Sequence, residues 1–311
     1  MTIITRMALA ACLAGLAACT MPDEPAENNA PPAAEAQPDI MTWDDLFARP
    51  KPETDIRIPY GDGDLQFSEL WLPEGDGLHP VVLMIHGGCW QTDIAERDIM
   101  NWIAGDLRDR GIAVWNIEYR GVDRDGGGYP GTYEDVAAAA QSLIDHRRQY
   151  NIAEWNTVVI GHSAGGHLAL WLAASQPQFR VALSPHSLNI RTVISQGGLP
   201  DLEAGTQREG HPCGTEAPRL MMGGRPNLTS PQRMRAPGVR QILVNADRDR
   251  IAPPEYAEAY RNANLARDVT DIELVVIPGE GHVELVTPGT ASWERQVALI
   301  EAALGRVPPE S

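Results

Sequence analysis

Thr157-Val158-Val159-Ile160-Gly161-His162-Ser163-Ala164-Gly165-Gly166 is the stretch on which the fold turns. Its first four residues are a short β-branched run of the kind found in strands buried on both faces. Across residues 164–174 the composition changes to the alanine and leucine of a packed helix. The chain must pass from strand to helix within a few residues, and it carries what such a corner needs. Gly161 and Gly165, two positions either side of Ser163, lack the Cβ atoms that would collide where strand and helix meet closely. Ser163 is thereby predicted at the apex, its hydroxyl pushed out over the end of the sheet.

Working outward, three more segments repeat the pattern of a buried strand followed by a loop rich in chemistry. Residues 81–85 are uniformly apolar and end in His86-Gly87-Gly88-Cys89-Trp90, a tight turn with unobstructed N–H groups. Residues 241–245 run into Ala246-Asp247-Arg248-Asp249-Arg250-Ile251-Ala252-Pro253, so carboxylates follow that strand directly. Residues 272–277 lead through Pro278-Gly279-Glu280-Gly281 to His282. Helical patterns over 95–110, 132–149, 164–175, 254–266 and 292–303 separate these runs, which predicts right-handed crossovers and a mainly parallel, doubly wound α/β sheet. Residues 55–60 and 65–72 flank Gly61-Asp62-Gly63 and read as a hairpin ahead of it. In such sheets functional loops gather at the carboxyl ends of the strands, where all four segments fall. The stretch 198–237, rich in Gly, Pro and Met, is expected to be a small lid or cap over the pocket.

With Ser163, an acid and His282 in that chain order, the sequence resembles the α/β-hydrolases of the esterase and lipase type. The His86-Gly87-Gly88-Cys89-Trp90 loop also occurs in arylformamidases, and relatives of hormone-sensitive lipase have a third glycine where Cys89 stands. The likeness spans about residues 55–304. It implies an α/β-hydrolase fold and a serine hydrolase that cleaves carboxylic esters through an acyl-enzyme. Ser163 would be the nucleophile, His282 its base, and a carboxylate would fix the imidazole tautomer. The family pattern of a small residue, two variable positions, the acid and an apolar-x-Pro ending puts that acid at Asp249 and leaves Asp247 to the turn. The N–H groups of Gly87, Gly88, Cys89 and Ala164 are the expected oxyanion donors. An arylformamidase-like amide hydrolase, a prolyl-oligopeptidase-like peptidase and a non-catalytic binding lipoprotein are the alternatives.

No cofactor or metal is implied. His86 is expected to orient its loop, and His162 and His167 to pack and stabilise, because no H-E-x-x-H or Cys/His cluster accompanies them. Asp123, Asp125, Gly128 and Glu134 match part of a calcium loop, but Gly127 stands where a ligand belongs; the segment reads better as a turn into a helix N-capped by Thr132.

At the N-terminus, Arg6 precedes an apolar stretch over 7–18 that is too short to span a bilayer. Leu16-Ala17-Ala18-Cys19 resembles a bacterial lipobox, so residues 1–19 are expected to be a lipoprotein signal, with Cys19 lipidated; Leu9-Ala10-Ala11-Cys12 leaves too little apolar sequence before it. Thr20 after Cys19 favours the outer membrane by resemblance to sorted lipoproteins. Residues 20–52, dominated at first by Pro, Ala, Glu and Asn, are expected to be a disordered tether to a catalytic domain over 53–307. The expected address is the periplasm, with the membrane a partner only through that anchor and a small ester as substrate. A net charge of −17 excludes nucleic acid as a partner, since phosphate binding needs a basic face. Cys89 and Cys213 remain, both assigned to the same sheet edge, and the sequence leaves their pairing open.

Overall fold

The computed structural model describes residues 39–179 and 188–305. The signal segment with Cys19, and the tether as far as residue 38, lie outside them. Among the described residues the sheet has eight strands: β1 (Ile56–Pro59), β2 (Phe67–Trp71), β3 (His79–Ile85), β4 (Ala113–Ile117), β5 (Ile152–His162), β6 (Ile190–Gln196), β7 (Arg240–Ala246) and β8 (Ile272–Ile277). Their order is β1-β2-β4-β3-β5-β6-β7-β8. The hairpin β1–β2 and the β2–β4 pair are antiparallel, and every later pairing is parallel. The chain leaves β3 toward β4 and then returns to place β5 on the other side of β3. That reversal opens a crevice at the carboxyl ends of β3 and β5, with Ile85 paired to Gly161.

Helices cover both faces, which is why the central strands are apolar without alternation. Val81, Leu83 and Ile85 face one core with α3 (Gly131–His146), α4 (Ala164–Phe179) and α8 (Pro254–Leu265). Val82 and Met84 face the other with α1 (Trp43–Phe47), α2 (Asn101–Asp109) and α9 (Ala291–Ala303).

Three expectations change. The predicted tether ends early: Thr42 caps α1 in a reciprocal box with Asp45, and Leu46 is fully buried in the core. Burying Leu46 stabilises that docking by roughly 2 kcal/mol. Thr132 is not an N-cap but lies inside α3; its Oγ1 donates to Arg120 O and accepts from Gly128 N. The insertion is present as α5 (Leu202–Gly205), α6 (Glu216–Met222) and α7 (Pro226–Thr229), and none of its residues lines the cavity that holds Ser163. It is tied to α3 and α4 by Tyr133 Oη donating to Met221 O (3.0 Å) and Trp171 Nε1 donating to Leu228 O (2.9 Å). A Cys89–Cys213 disulfide joins it to the loop after β3.

Candidate active site

Ser163 sits at the corner between β5 and α4 with φ 54°, a left-handed conformation that costs a non-glycine residue about 1–2 kcal/mol. The flanking glycines explain how the corner closes. A Cβ on Gly161 would stand 2.1 Å from Gly165 O, and one on Gly165 would stand 2.1 Å from Ile85 O. Ser163 N donates to Gln196 O at 2.8 Å, so β6 holds the corner from behind. The hydroxyl is thus presented at the N-terminus of a 16-residue helix, whose dipole favours negative charge there.

His282, in the loop after β8, is buried with its Nδ1 2.6 Å from Asp249 Oδ2. The other carboxylate oxygen accepts Ile251 N at 2.8 Å and Ala252 N at 2.9 Å. Burial works to raise the Asp249 carboxyl, but the His282 imidazole and the two backbone donors outweigh it and hold the group below the usual aspartate range. An acceptor of this kind fixes the proton on Nδ1 and leaves the Nε2 lone pair available. Asp247 faces outward, where its Oδ1 accepts Gly279 N at 2.7 Å. The structure therefore brings Asp249, and not Asp247, to His282.

The loop after β3 closes the third side. A Cβ on Gly87 would lie 3.0 Å from Ser163 Cβ, and Gly88, Cys89 and Trp90 turn through φ 98°, 54° and 58° in succession. Among the described residues no backbone acceptor takes the N–H of Gly88 or Cys89. The loop is fastened by the segment that follows β4. His86 Nε2 bonds Glu118 Oε1 at 2.8 Å, Tyr119 Oη donates to His86 O at 2.9 Å, and Val122 N donates to Trp90 O at 2.7 Å. Burial pushes the Glu118 carboxyl up, yet His86 and the N–H groups of Arg97 and Tyr119 bring it below its ordinary value. Two further buried histidines, His162 and His167, pack around the Ser163 corner. His162 Nε2 donates to His282 O (3.1 Å) with the rings 4.3 Å apart, and burial lowers its pKa strongly. His167 accepts Trp90 Nε1 on Nδ1 (3.1 Å) and donates from Nε2 to Thr229 O (2.8 Å); burial lowers its pKa to about 4.

Ser163 and His282 open on one cavity of about 240 Å³, whose other walls are Trp43, Phe47, Gly88, Cys89, Ile94, Ala95, Ile99, His162 and Ile251. The apolar wall was missed in the sequence, Trp43 and Phe47 because they fall in the expected tether. The Thr42-x-x-Asp45 spacing, a capping-box signature ahead of a helix, was the signal that could have found them.

Comparison with curated proteins finds no match. Among solved structures, esterase B of Lactobacillus rhamnosis superposes with a TM-score of 0.70 at 18% identity, over 84% of this chain and 90% of that one. Esterase Est2 of Thermogutta terrifontis gives 0.66 at 20% identity, over 84% and 95%. A bifunctional GH43-CE protein of Bacteroides eggerthii gives 0.64 at 21% identity over 81% of this chain, which spans only 36% of that protein's length. At these identities the likeness shows a shared α/β-hydrolase fold. The BD-FAE family model matches residues 69–240, more than half of the 311, and the chain belongs to this family of α/β-hydrolase-type esterase domains.

Proposed function

We propose that this protein is a serine carboxylesterase for small acyl esters. The observation that carries the reading is the buried Asp249–His282 pair opening on the same apolar cavity as the strained Ser163. His282 Nε2 takes the Ser163 proton as Oγ attacks the ester carbonyl, and Asp249 stabilises the imidazolium. The carbonyl oxygen gains negative charge and is met by the N–H of Ala164 and by N–H groups of the Gly87-Gly88-Cys89 turn, each contributing about 3 kcal/mol. Collapse expels the alcohol, which takes its proton from His282; water then repeats the sequence on the acyl-enzyme. Phosphonylation by sarin, described for Thermogutta terrifontis esterase 2, is the reaction this arrangement should undergo.

A fluorophosphonate probe should label the purified protein on Ser163, and Ser163→Ala should abolish both labelling and ester turnover. Folded protein that resists the probe would rule the reading out. A panel of p-nitrophenyl esters, N-formylkynurenine and a prolyl anilide separates esterase from formamidase and peptidase.

We further propose that the protein acts in the periplasm, anchored to the outer membrane through lipidated Cys19. The Cys89–Cys213 disulfide supports export, since such bonds persist in oxidising compartments. Globomycin should make an unprocessed precursor accumulate; an unmodified mature N-terminus would overturn the anchor.

A further inference from the structure

We infer that the short segment ahead of the sheet is the specificity wall of this site, with Trp43 and Phe47 limiting the length of acyl chain that the cavity accepts. The inference rests on the esterase reading above. Helix α1 has five residues, too few to persist alone. Its attachments are specific. The buried Leu46 plugs it into the core, Arg49 Nη1 donates to Pro288 O at 2.9 Å, and Met41 N donates to Glu284 Oε1 at 2.6 Å. Glu284 is itself buried, and its other oxygen accepts Gly281 N at 3.1 Å. One carboxylate therefore sets the strap and the loop that carries His282 in fixed relation.

This docking places two aromatic rings at the cavity. Trp43 lies 5.9 Å from Phe47 and meets the His162 ring edge-on at 5.9 Å, while Phe47 lies 5.9 Å from Trp102. Ile94, Ala95, Ile99 and Ile251 complete the wall. Apart from the polar groups of His162, Ser163 and His282, the indole N–H of Trp43 and the Cys89 disulfide sulfur, the lining side chains offer a ligand hydrocarbon and aromatic surface. A wall so largely apolar favours a hydrocarbon acyl group and discriminates among such groups mainly by fit. At about 240 Å³ the cavity lies below the roughly 300–1,000 Å³ of sites for drug-sized ligands, so the fit is to a short chain. Phe47, 52% exposed, marks the outer end. Beyond it a longer chain would leave apolar contact for water.

The test is a series of p-nitrophenyl esters from acetate to decanoate, assayed on the full chain. Wild type should favour the short esters, with kcat/KM falling beyond hexanoate. Phe47→Ala and Trp43→Ala should each raise the octanoate-to-butyrate ratio of kcat/KM about tenfold, the lower end of what one methylene's fit is worth in an apolar pocket. Should Trp43→Ala fail to fold, Phe47→Ala decides, because so exposed a side chain contributes little to folding. Ser163-dependent turnover with an unmoved ratio in folded Phe47→Ala overturns the inference alone. Absence of Ser163-dependent turnover on every ester overturns the esterase reading and this inference with it.

Discussion

Replacing Asp249 with Asn tests the proposed chemistry at one atom. In the native site Oδ1 is committed to two backbone donors, Ile251 N and Ala252 N, while Oδ2 faces His282 Nδ1 at 2.6 Å. Asparagine has one carbonyl oxygen, and the two backbone donors claim it. Its amide nitrogen must then face Nδ1 and donate, which moves the imidazole proton to Nε2, the position that has to accept from Ser163. The fold survives because both backbone bonds are kept. Catalysis does not: the wrong tautomer should lower kcat by about four orders of magnitude, or roughly 5 kcal/mol of barrier. Asp247→Asn is the internal control. That carboxylate is exposed and accepts from Gly279 N at the turn, so its loss should change kcat by about twofold at most. The assay is p-nitrophenyl butyrate turnover of both variants beside wild type, with thermal melts to confirm folding. A folded Asp249→Asn that keeps a tenth of wild-type kcat, or an Asp247→Asn that loses as much as Asp249→Asn, would refute the assignment.

Other perturbations reach further from the serine. His167 is fully buried and neutral with a pKa of about 4, against about 6.5 unfolded. The unfolded chain therefore binds the extra proton between those values, and His167 alone should cost about 3 kcal/mol of stability as pH drops from 6.5 to 4, a fall to which buried His162 adds in the same direction. Urea melts should show that slope, and His167→Gln should make it shallower by His167's share while the part due to His162 remains. Glu118→Gln leaves a buried amide among three donors, His86 Nε2, Arg97 N and Tyr119 N, so one donor–donor clash is forced. We expect about 1–3 kcal/mol of destabilisation, with kcat falling as the loop loosens beside Ser163; unchanged kinetics would detach this pair from the site. The Cys89–Cys213 bridge spans 124 residues, so reduction or Cys213→Ala should destabilise by roughly 2–5 kcal/mol, read as a lower Tm. An identical Tm with and without reductant would argue against it.

Much of the site was legible in the sequence, because its signals are local. A β-branched run, two glycines around Ser163 and the change to an Ala/Leu helix dictate a strand-to-helix corner through sterics confined to a few residues. Strand-then-loop patterns likewise put Gly87, Asp249 and His282 at carboxyl ends. The choice between Asp247 and Asp249 came from a family pattern, and the 2.6 Å contact to His282 agrees with it. The pocket's walls were not legible, since its outer wall depends on what docks where. Residues 42–48 read as tether because α1 is too short to carry periodicity, and its helicity is supplied by the burial of Leu46 and by Glu284, 243 residues beyond Met41. Residues 198–237 read as a lid because composition shows an insertion without showing which face it covers. The side chains of α3 and α4 and the partner of Cys89 settle that, drawing the insertion against the helices, while the N-terminal strap lines the cavity. Local sterics determine the corner; burial between segments distant in sequence determines the pocket, and that free energy exists only once the sheet has assembled.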